Sequence, residues 1–240
     1  MKFAFARSFA LFTATLVLIA NAFAQDKYPS KPIRIIVALG PGAGTDVLAR
    51  FLATDPLRRE LGADIIVENR AGAGGVVGGD FVAKSKPDGY TLALFHASVV
   101  STATVVNPNV AYNPIRDFTP IASLVTNQLA ILKAGKLRGL ATTSAIKGFP
   151  NVPTFASRGF PQANLEVFFA MYGPANLPPE VMGKLEPAFE RIMKNPGIQD
   201  KLEGMGFSIL YEGSKQLGER VKHELGVVAD VAKRAGIKGE

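Results

Sequence analysis

Residues 33–52 read IRIIVALGPGAGTDVLARFL, and this stretch decides the fold. Its first residues are almost continuously apolar and β-branched, as expected of a strand buried on both faces of a parallel sheet. Three closely spaced glycines break the run, and either Thr45 or Asp46 is predicted to cap the helix that follows. That helix carries an apolar stripe at helical spacing, made of Val47, Leu48, Phe51 and Leu52. We expect Pro56 to kink the helix or end it early.

The same cycle of strand, glycine turn and helix then repeats. Residues 65–67 form a second predicted strand, 70–75 a second glycine turn, and 76–84 a second helix. A third strand is predicted over residues 90–95. This alternation is typical of an open α/β sheet. Right-handed crossovers would place both glycine turns at the carboxyl edge of the sheet, which is where such sheets bind ligands.

The middle of the chain departs from this rhythm. An apolar run from Ile121 to Leu132 and a second run from Gly139 to Thr143 both have the character of strands, with no helix between them. Parallel neighbours need a crossover of about a dozen residues. The two runs are therefore expected to pair as a hairpin or to lie in different sheets.

The amino terminus has the layout of a secretory signal peptide. Lys2 and Arg7 precede an uncharged apolar stretch, and small residues at 22 and 24 allow cleavage between Ala24 and Gln25. The stretch is shorter than the roughly 20 residues of a membrane span, although an uncleaved anchor is the alternative. We expect an exported protein. Without residues 1–24 the chain has 25 basic and 20 acidic residues, and their dispersed positions disfavour a nucleic-acid partner.

Composition and motifs exclude several kinds of chemistry. The chain has no cysteine and only two histidines, His96 and His223, so neither disulfides nor a metal site is expected. Neither glycine turn has the spacing of a phosphate-binding loop or of a dinucleotide fingerprint, so no cofactor is expected. No Gly-x-Ser-x-Gly elbow is present. His96 and Ser98 suggest a serine–histidine pair, but no motif supports a catalytic role.

The two glycine turns are the candidate binding elements. Glycine lets a backbone approach a ligand closely, and the free amides at a helix start attract anions. Residues 42–46 and 74–75 could therefore hold a carboxylate, with Thr45 adding a hydroxyl. On spacing alone, ordinary tight turns explain these glycines equally well. The neighbouring residues 68–70 are expected to hold their own turn together, with Arg70 in a structural role.

A series of short motifs resembles the tripartite tricarboxylate transporter (Bug, or TctC-type) family of periplasmic solute-binding proteins. The resemblance covers nearly all of the chain after the predicted signal peptide. The motifs occur in the family's order: residues 28–37, 42–46, 67–75, 87–92, 117–121, 133–138, 150–154 and 235–238.

This resemblance implies an α/β fold like that of type 2 periplasmic binding proteins, with two lobes that close on a small carboxylate. It implies a monomeric receptor, not an enzyme, that delivers its ligand to the subunits of a membrane permease. By similarity, the ligand contacts of the first lobe would come from Gly42, Ala43, Gly44, Thr45, Asp46, Gly74, Gly75 and Ser98.

The chain also departs from the family pattern. Members carry on the order of 80 further residues, most of a small domain, before Lys133. The resemblance thus implies a first lobe of residues 25–121 plus 173–240 and a truncated second lobe of residues 122–172. Three functions remain open: a carboxylate receptor, a relic that no longer binds, and an exported enzyme using Asp46, His96 or Ser98.

Overall fold

The computed structural model describes residues 27–127, 130–133, 138–143, 150–160 and 167–237. The predicted signal peptide, residues 1–24, lies outside the described residues, as does Lys238 at the end of the last motif.

Six strands form one mixed sheet and two form a separate hairpin. The strands are β1 (Ile33–Val37), β2 (Ile65–Asn69), β3 (Thr91–His96), β4 (Phe118–Asn127), β5 (Ala130–Lys133), β6 (Arg138–Thr142), β7 (Val167–Pro174) and β8 (Ser208–Gly213). The order in the large sheet is β2-β1-β3-β7-β4-β8. β1 pairs in parallel with β2 and β3, whereas β7 runs antiparallel between β3 and β4.

Helices cover both faces of the large sheet. They are α1 (Gly44–Thr54), α2 (Pro56–Leu61), α3 (Val76–Ala83), α4 (Ala97–Val100), α5 (Thr102–Val106), α6 (Pro179–Lys194), α7 (Pro196–Gly204) and α8 (Ser214–Arg234). None of the helices in the described part of the chain is both long enough and apolar enough to cross a bilayer.

The core lies in two layers, one on each face of the sheet. Ile33, Ile35 and Val37 of β1 point into the layer under α1 and α6. Ile36 points into the other layer, with Phe95 and residues of α3 and α8. The IRIIV sequence predicts a strand with apolar residues on both faces. The structure confirms this, because both faces of β1 are covered.

The first glycine turn and helix differ in detail from the prediction. The helix begins at Gly44 after the N-cap Ala43, which provides no side-chain cap, so the predicted capping by Thr45 or Asp46 is wrong. Val47 is 41% exposed, whereas Leu48 and Leu52 are fully buried. Pro56 does end the helix, because it occupies the first turn of α2, where its missing amide removes no hydrogen bond.

The two central apolar runs separate from one another. β5 and β6 pair antiparallel in a two-stranded sheet of their own, which confirms the predicted hairpin. The first run, however, is divided: its residues up to Asn127 belong to β4 in the large sheet. Residues 122–127 and 167–172, which the family resemblance implied to be part of the second lobe, thus lie in the same sheet as β1, β2 and β3.

Candidate functional site

Four strands bring their carboxyl ends to one edge of the large sheet. β1, β2 and β3 are parallel, and β4 has the same direction because both β3 and β4 run antiparallel to β7. The glycine turns after β1 and β2 therefore lie at this edge, together with His96 and Asn127 at the ends of β3 and β4. The predicted meeting of the two turns is confirmed.

Asp46 is the centre of a hydrogen-bond network beneath the first turn. Its residue is only 3% exposed. Its Oδ2 accepts from the Gly42 amide at 2.9 Å and from Arg50 Nε at 3.1 Å. Its Oδ1 accepts from Asn69 Nδ2 at 2.9 Å and lies 3.0 Å from Arg50 Nη2. Four donors thus surround one carboxylate.

This network fixes the first turn to the end of β2. Asn69 also donates to the Leu39 carbonyl at 3.0 Å and accepts from Arg50 Nη2 at 2.8 Å. Burial alone would raise the pKa of Asp46, but the hydrogen bonds from Arg50, the Gly42 amide and Asn69 outweigh it and hold the pKa below its ordinary value. With its charge and lone pairs engaged, Asp46 is better suited to positioning the turn than to contacting a ligand.

The start of α1 offers unused donors. The Val47 amide donates to the Ala43 carbonyl, which leaves the amides of Gly44, Thr45 and Asp46 without partners in the described chain. Thr45 is 1% exposed, and its Oγ1 is buried with no hydrogen-bond partner among the described residues. A buried hydroxyl without a partner costs free energy.

Phe169 joins the first turn to the ends of β3 and β4. A Cβ placed on Gly44 would lie 3.6 Å from Phe169 Cζ and 3.8 Å from Asn127 Nδ2. The ring of His96 stands edge-on to Phe169, with centroids 5.3 Å apart. The Oδ1 atom of Asn127 is a second buried oxygen without a partner among the described residues. The helix start therefore faces an aromatic ring flanked by polar groups.

The second glycine turn uses positive backbone angles at Gly72, Gly74 and Gly75. The Gly75 amide donates to the Gly72 carbonyl at 2.9 Å, and a Cβ at Gly75 would meet Val99 Cγ2 at 2.6 Å. Gly75 therefore serves close packing against α4, and its amide is already bonded. Gly74 is exposed, and a Cβ there would meet open space, so it is the glycine of this turn with room for a ligand.

Ser98 and His96 are hydrogen-bonded, which their spacing alone did not establish. Oγ of Ser98 lies 2.8 Å from His96 Nδ1, and the Ser98 amide donates to the same nitrogen at 3.2 Å. A nitrogen that accepts from an amide carries no proton, so the neutral ring holds its proton on Nε2. Burial lowers the pKa of His96, which favours this neutral form.

Sequence reasoning missed part of the site. Glu68 and Arg70 do hold their own turn, with a 2.7 Å hydrogen bond from Arg70 Nε. Asn69 instead holds the first turn, and Arg50 completes its network. The role of Asn127 was not predicted, because this residue lies within an apolar run of the sequence. Its position at the end of a strand, at the edge where such sheets bind ligands, could have indicated it.

The donors gathered at this edge of the sheet are neutral groups. The guanidinium of Arg50, beneath the first turn, is bonded to Asp46 and Asn69. Within the described ranges, no cluster of three or more histidine, cysteine or acidic residues could hold a metal ion. Backbone amides, hydroxyls and side-chain amides suit a small anion with carboxylate or hydroxyl groups.

The chain belongs to the tripartite tricarboxylate transporter receptor family, TctC. The sequence model of this family matches residues 48–133 and 127–236. This is a family of periplasmic solute-binding proteins and not of enzymes. The predicted family is confirmed, and so is the α/β fold of periplasmic binding proteins.

Individual relatives agree with this placement. The chain is 40% identical to protein BugT of Bordetella pertussis over 121 residues, which are 50% of this chain and 37% of BugT. The structure of the periplasmic binding protein BugD superposes with a TM-score of 0.79 at 23% identity, over 89% of this chain and all of BugD. A Rhodopseudomonas palustris protein, MatC, has a TM-score of 0.73 at 20% identity, over 85% of this chain and 99% of MatC. The matched stretches span 34% to 47% of the first curated relatives' own lengths.

Proposed function

We propose that this protein is a periplasmic receptor that binds a small carboxylate and delivers it to a membrane permease. In this proposal the carboxylate accepts hydrogen bonds from the amides at the start of α1 and from the Thr45 hydroxyl. Asn127, Ser98 and Gly74 line the same space. Asp46 and Gly75 support the site from beneath without contacting the ligand.

One observation carries the proposal: among the described residues, Thr45 Oγ1 is buried without a partner at a helix start whose amides are also unused. The positive end of a helix dipole favours an anion there. The carboxylate would thus satisfy donors that the described part of the fold leaves unpaired. The neutral character of the site fits a ligand recognised by directed hydrogen bonds and not by an ion pair.

The fold neighbours suggest the chemical class of ligand. MatC was solved with bound malate, and another neighbour from R. palustris, Rpa4515, was solved with adipate. Both ligands are dicarboxylates. A dicarboxylate is therefore the first class to test here. The Oδ1 of Asn127, which has no partner among the described residues, would additionally accept from a ligand hydroxyl.

We further propose that part of the second lobe is absent. The two family matches overlap at residues 127–133, at the entry to the β5–β6 hairpin. A junction at this point would remove a block between β4 and β6 while leaving the large sheet intact. The remaining second lobe would then be the hairpin and the segment 150–160. A protein that folds but binds no carboxylate would be the relic that this shortening allows.

The test is a thermal-shift and calorimetric titration of the purified protein with malate and adipate. Adipamide, which has the same length without the charges, is the matched control ligand. A ligand at a hundredfold excess over its dissociation constant stabilises the folded state by about 2.7 kcal/mol. We expect a dose-dependent shift with at least one dicarboxylate and none with adipamide.

A pair of variants locates the binding. Thr45→Val keeps the shape of the side chain but removes the hydroxyl, and it should weaken binding roughly tenfold. Thr54→Val is the control, because its hydroxyl lies at the other end of α1 and donates to the Arg50 carbonyl. Equal affinity in Thr45→Val and the unaltered protein would rule out the proposed contact, and a cooperative melt without any shift would favour the relic.

A further inference from the structure

A groove lies beside the candidate site, on the face of the large sheet that carries α3. Its volume is about 820 Å³, and it runs from the start of β1 along α3. The floor includes large apolar side chains that no described element covers. Ile66 of β2 is 49% exposed, and Val77 of α3 is 50% exposed. Phe81 of α3 also lines the groove.

The rim of this groove carries an excess of positive charge. Five basic residues line it: Lys31, Arg34, Arg70, Lys84 and Lys86. Asp80 and Asp88 line it as well, and Glu68 is shared between Arg34 at 3.5 Å and Arg70 at 2.7 Å. One carboxylate between two guanidiniums leaves net positive charge, and Lys86 has no ion pair within the described ranges. The net charge of the groove is therefore +2.

Two contacts fix the position of the Arg70 side chain on the groove floor. Its guanidinium stacks on the Phe81 ring, with its central carbon 3.6 Å from the ring centroid. Glu68 fixes it from the side with a hydrogen bond. Stacking and pairing reduce the side-chain freedom that binding would otherwise remove, so the guanidinium is preorganised for an anionic partner.

The groove also borders an open sheet edge. Among the described strands β2 pairs only with β1, so its outer backbone groups are unpaired in the sheet. Such an edge accepts an added strand, and the side chains beside it then select the sequence.

We propose that this groove is a docking site for an extended, acidic segment of a partner protein. The segment lies along β2 and pairs its backbone with the open edge. Its apolar side chains contact Ile66, Val77 and Phe81, and its carboxylates face the basic rim. This surface is separate from the carboxylate site and does not require that site to be occupied.

A labelled peptide with the repeat Leu-Ser-Glu-Ser, whose leucine and glutamate side chains fall on the same face of an added strand, is the probe, with fluorescence anisotropy at low salt as the readout. The matched peptide replaces each glutamate with glutamine. We expect the acidic peptide to bind and the binding to weaken as salt is added, because exposed charges are screened. Equal binding of the two peptides, or no binding of the acidic one, would overturn the proposal.

Charge reversals locate the surface. The pair Lys84→Glu and Lys86→Glu should weaken binding roughly tenfold or more. The pair Lys184→Glu and Lys201→Glu changes the net charge equally at exposed positions outside the groove and should leave binding unaltered. If both pairs weaken binding equally, the attraction is that of the whole protein and the docking site is refuted.

The apolar floor and the membrane alternative are tested separately. Val77→Ser should weaken peptide binding, whereas Val231→Ser, at a similarly exposed position on α8, should not. Vesicles of phosphatidylglycerol should not displace the peptide from the groove. Displacement by vesicles, or a Val77→Ser variant with unchanged affinity, would contradict a peptide-docking groove.

Discussion

The large sheet and the β5–β6 hairpin share one chain but differ in how they are held. The large sheet has helices on both faces and two buried layers of side chains. The hairpin has two strands, and a two-stranded hairpin is at best marginally stable by itself. It gains support from segment 150–160 through the Thr142 amide, which donates to the Pro153 carbonyl at 2.9 Å, and the Phe155 amide, which donates to Thr142 at 2.8 Å.

The proposed binding groups thus lie in the region of the molecule that has the larger buried core. The carboxyl edge that carries Thr45 and Asn127 belongs to the large sheet, whose core is complete. The site should therefore depend on the large sheet far more than on the hairpin, and substitutions in the two regions should have very different consequences.

The largest contrast is between two phenylalanines. Phe95 is fully buried and packs against Phe118 and Tyr172 at centroid distances of 5.4 and 5.6 Å. Phe95→Ala removes these contacts and leaves a cavity, so the free energy of unfolding should fall by about 3–5 kcal/mol. Phe160, in segment 150–160, is 56% exposed. Phe160→Ala should change stability by less than about 0.5 kcal/mol in the same urea titration. A comparable loss in both variants would show that segment 150–160 is part of the main core.

A smaller contrast lies within the second glycine turn. Gly75→Ala places a methyl group 2.6 Å from Val99 Cγ2 at a φ of +100°, so it should cost about 2–3 kcal/mol. Gly74→Ala has a φ of +67° but open space around the new atom, and it should cost about 1–2 kcal/mol. Circular dichroism melts of both variants measure the difference. Equal losses would show that backbone conformation alone, and not packing on α4, requires Gly75.

A third substitution tests the network that joins the two turns. Asp46→Asn removes the charge that Arg50, Asn69 and the Gly42 amide share, and it should cost about 1–2 kcal/mol at neutral pH. It should also weaken dicarboxylate binding, because the start of α1 is no longer held in place. Arg59, whose ion pair with Asp55 at 3.0 Å is exposed, provides the control variant Arg59→Gln. Its stability should be nearly unaltered.

The effect of Asp46→Asn on the free energy of unfolding should also depend on pH. The native pKa of Asp46 is depressed below its ordinary value of 3.8, so its contribution is complete above that pH and is lost as the pH falls through the native pKa. The difference in stability between the variant and the unaltered protein should therefore be constant near neutrality and shrink in acid. A difference that stayed constant into acid would mean that the carboxylate charge is not what holds the turn.

Much of the large sheet could be predicted from the sequence, because its signals are local. The IRIIV run, the glycine turns and Pro56 each determine a nearby element through backbone geometry or hydrophobic pattern. The division of the run 121–132 at Asn127 could not be predicted in this way, since it depends on which strands pair across the chain. The role of Asn69 was missed for the same reason: its partners, Leu39 and Asp46, lie more than 20 residues away.

The same distinction between local signals and long-range contacts applies to the candidate site. Thr45 and the amides of α1 followed from a helix start after a glycine turn, which is a local pattern. The positioning role of Asp46 and the packing role of Gly75 required the tertiary contacts with Asn69 and Val99. Residues that face a ligand and residues that support the turn beneath it carry the same glycine and aspartate signature in sequence.

Amide hydrogen exchange, with and without the dicarboxylate that gives the largest thermal shift, tests the site most directly. We expect added protection at the amides of Gly44, Thr45 and Asp46, because these unused donors would bond to the carboxylate. The amides of α2 serve as the internal control and should not change. Protection confined to the hairpin, or binding without any change at the start of α1, would contradict a site built on the large sheet.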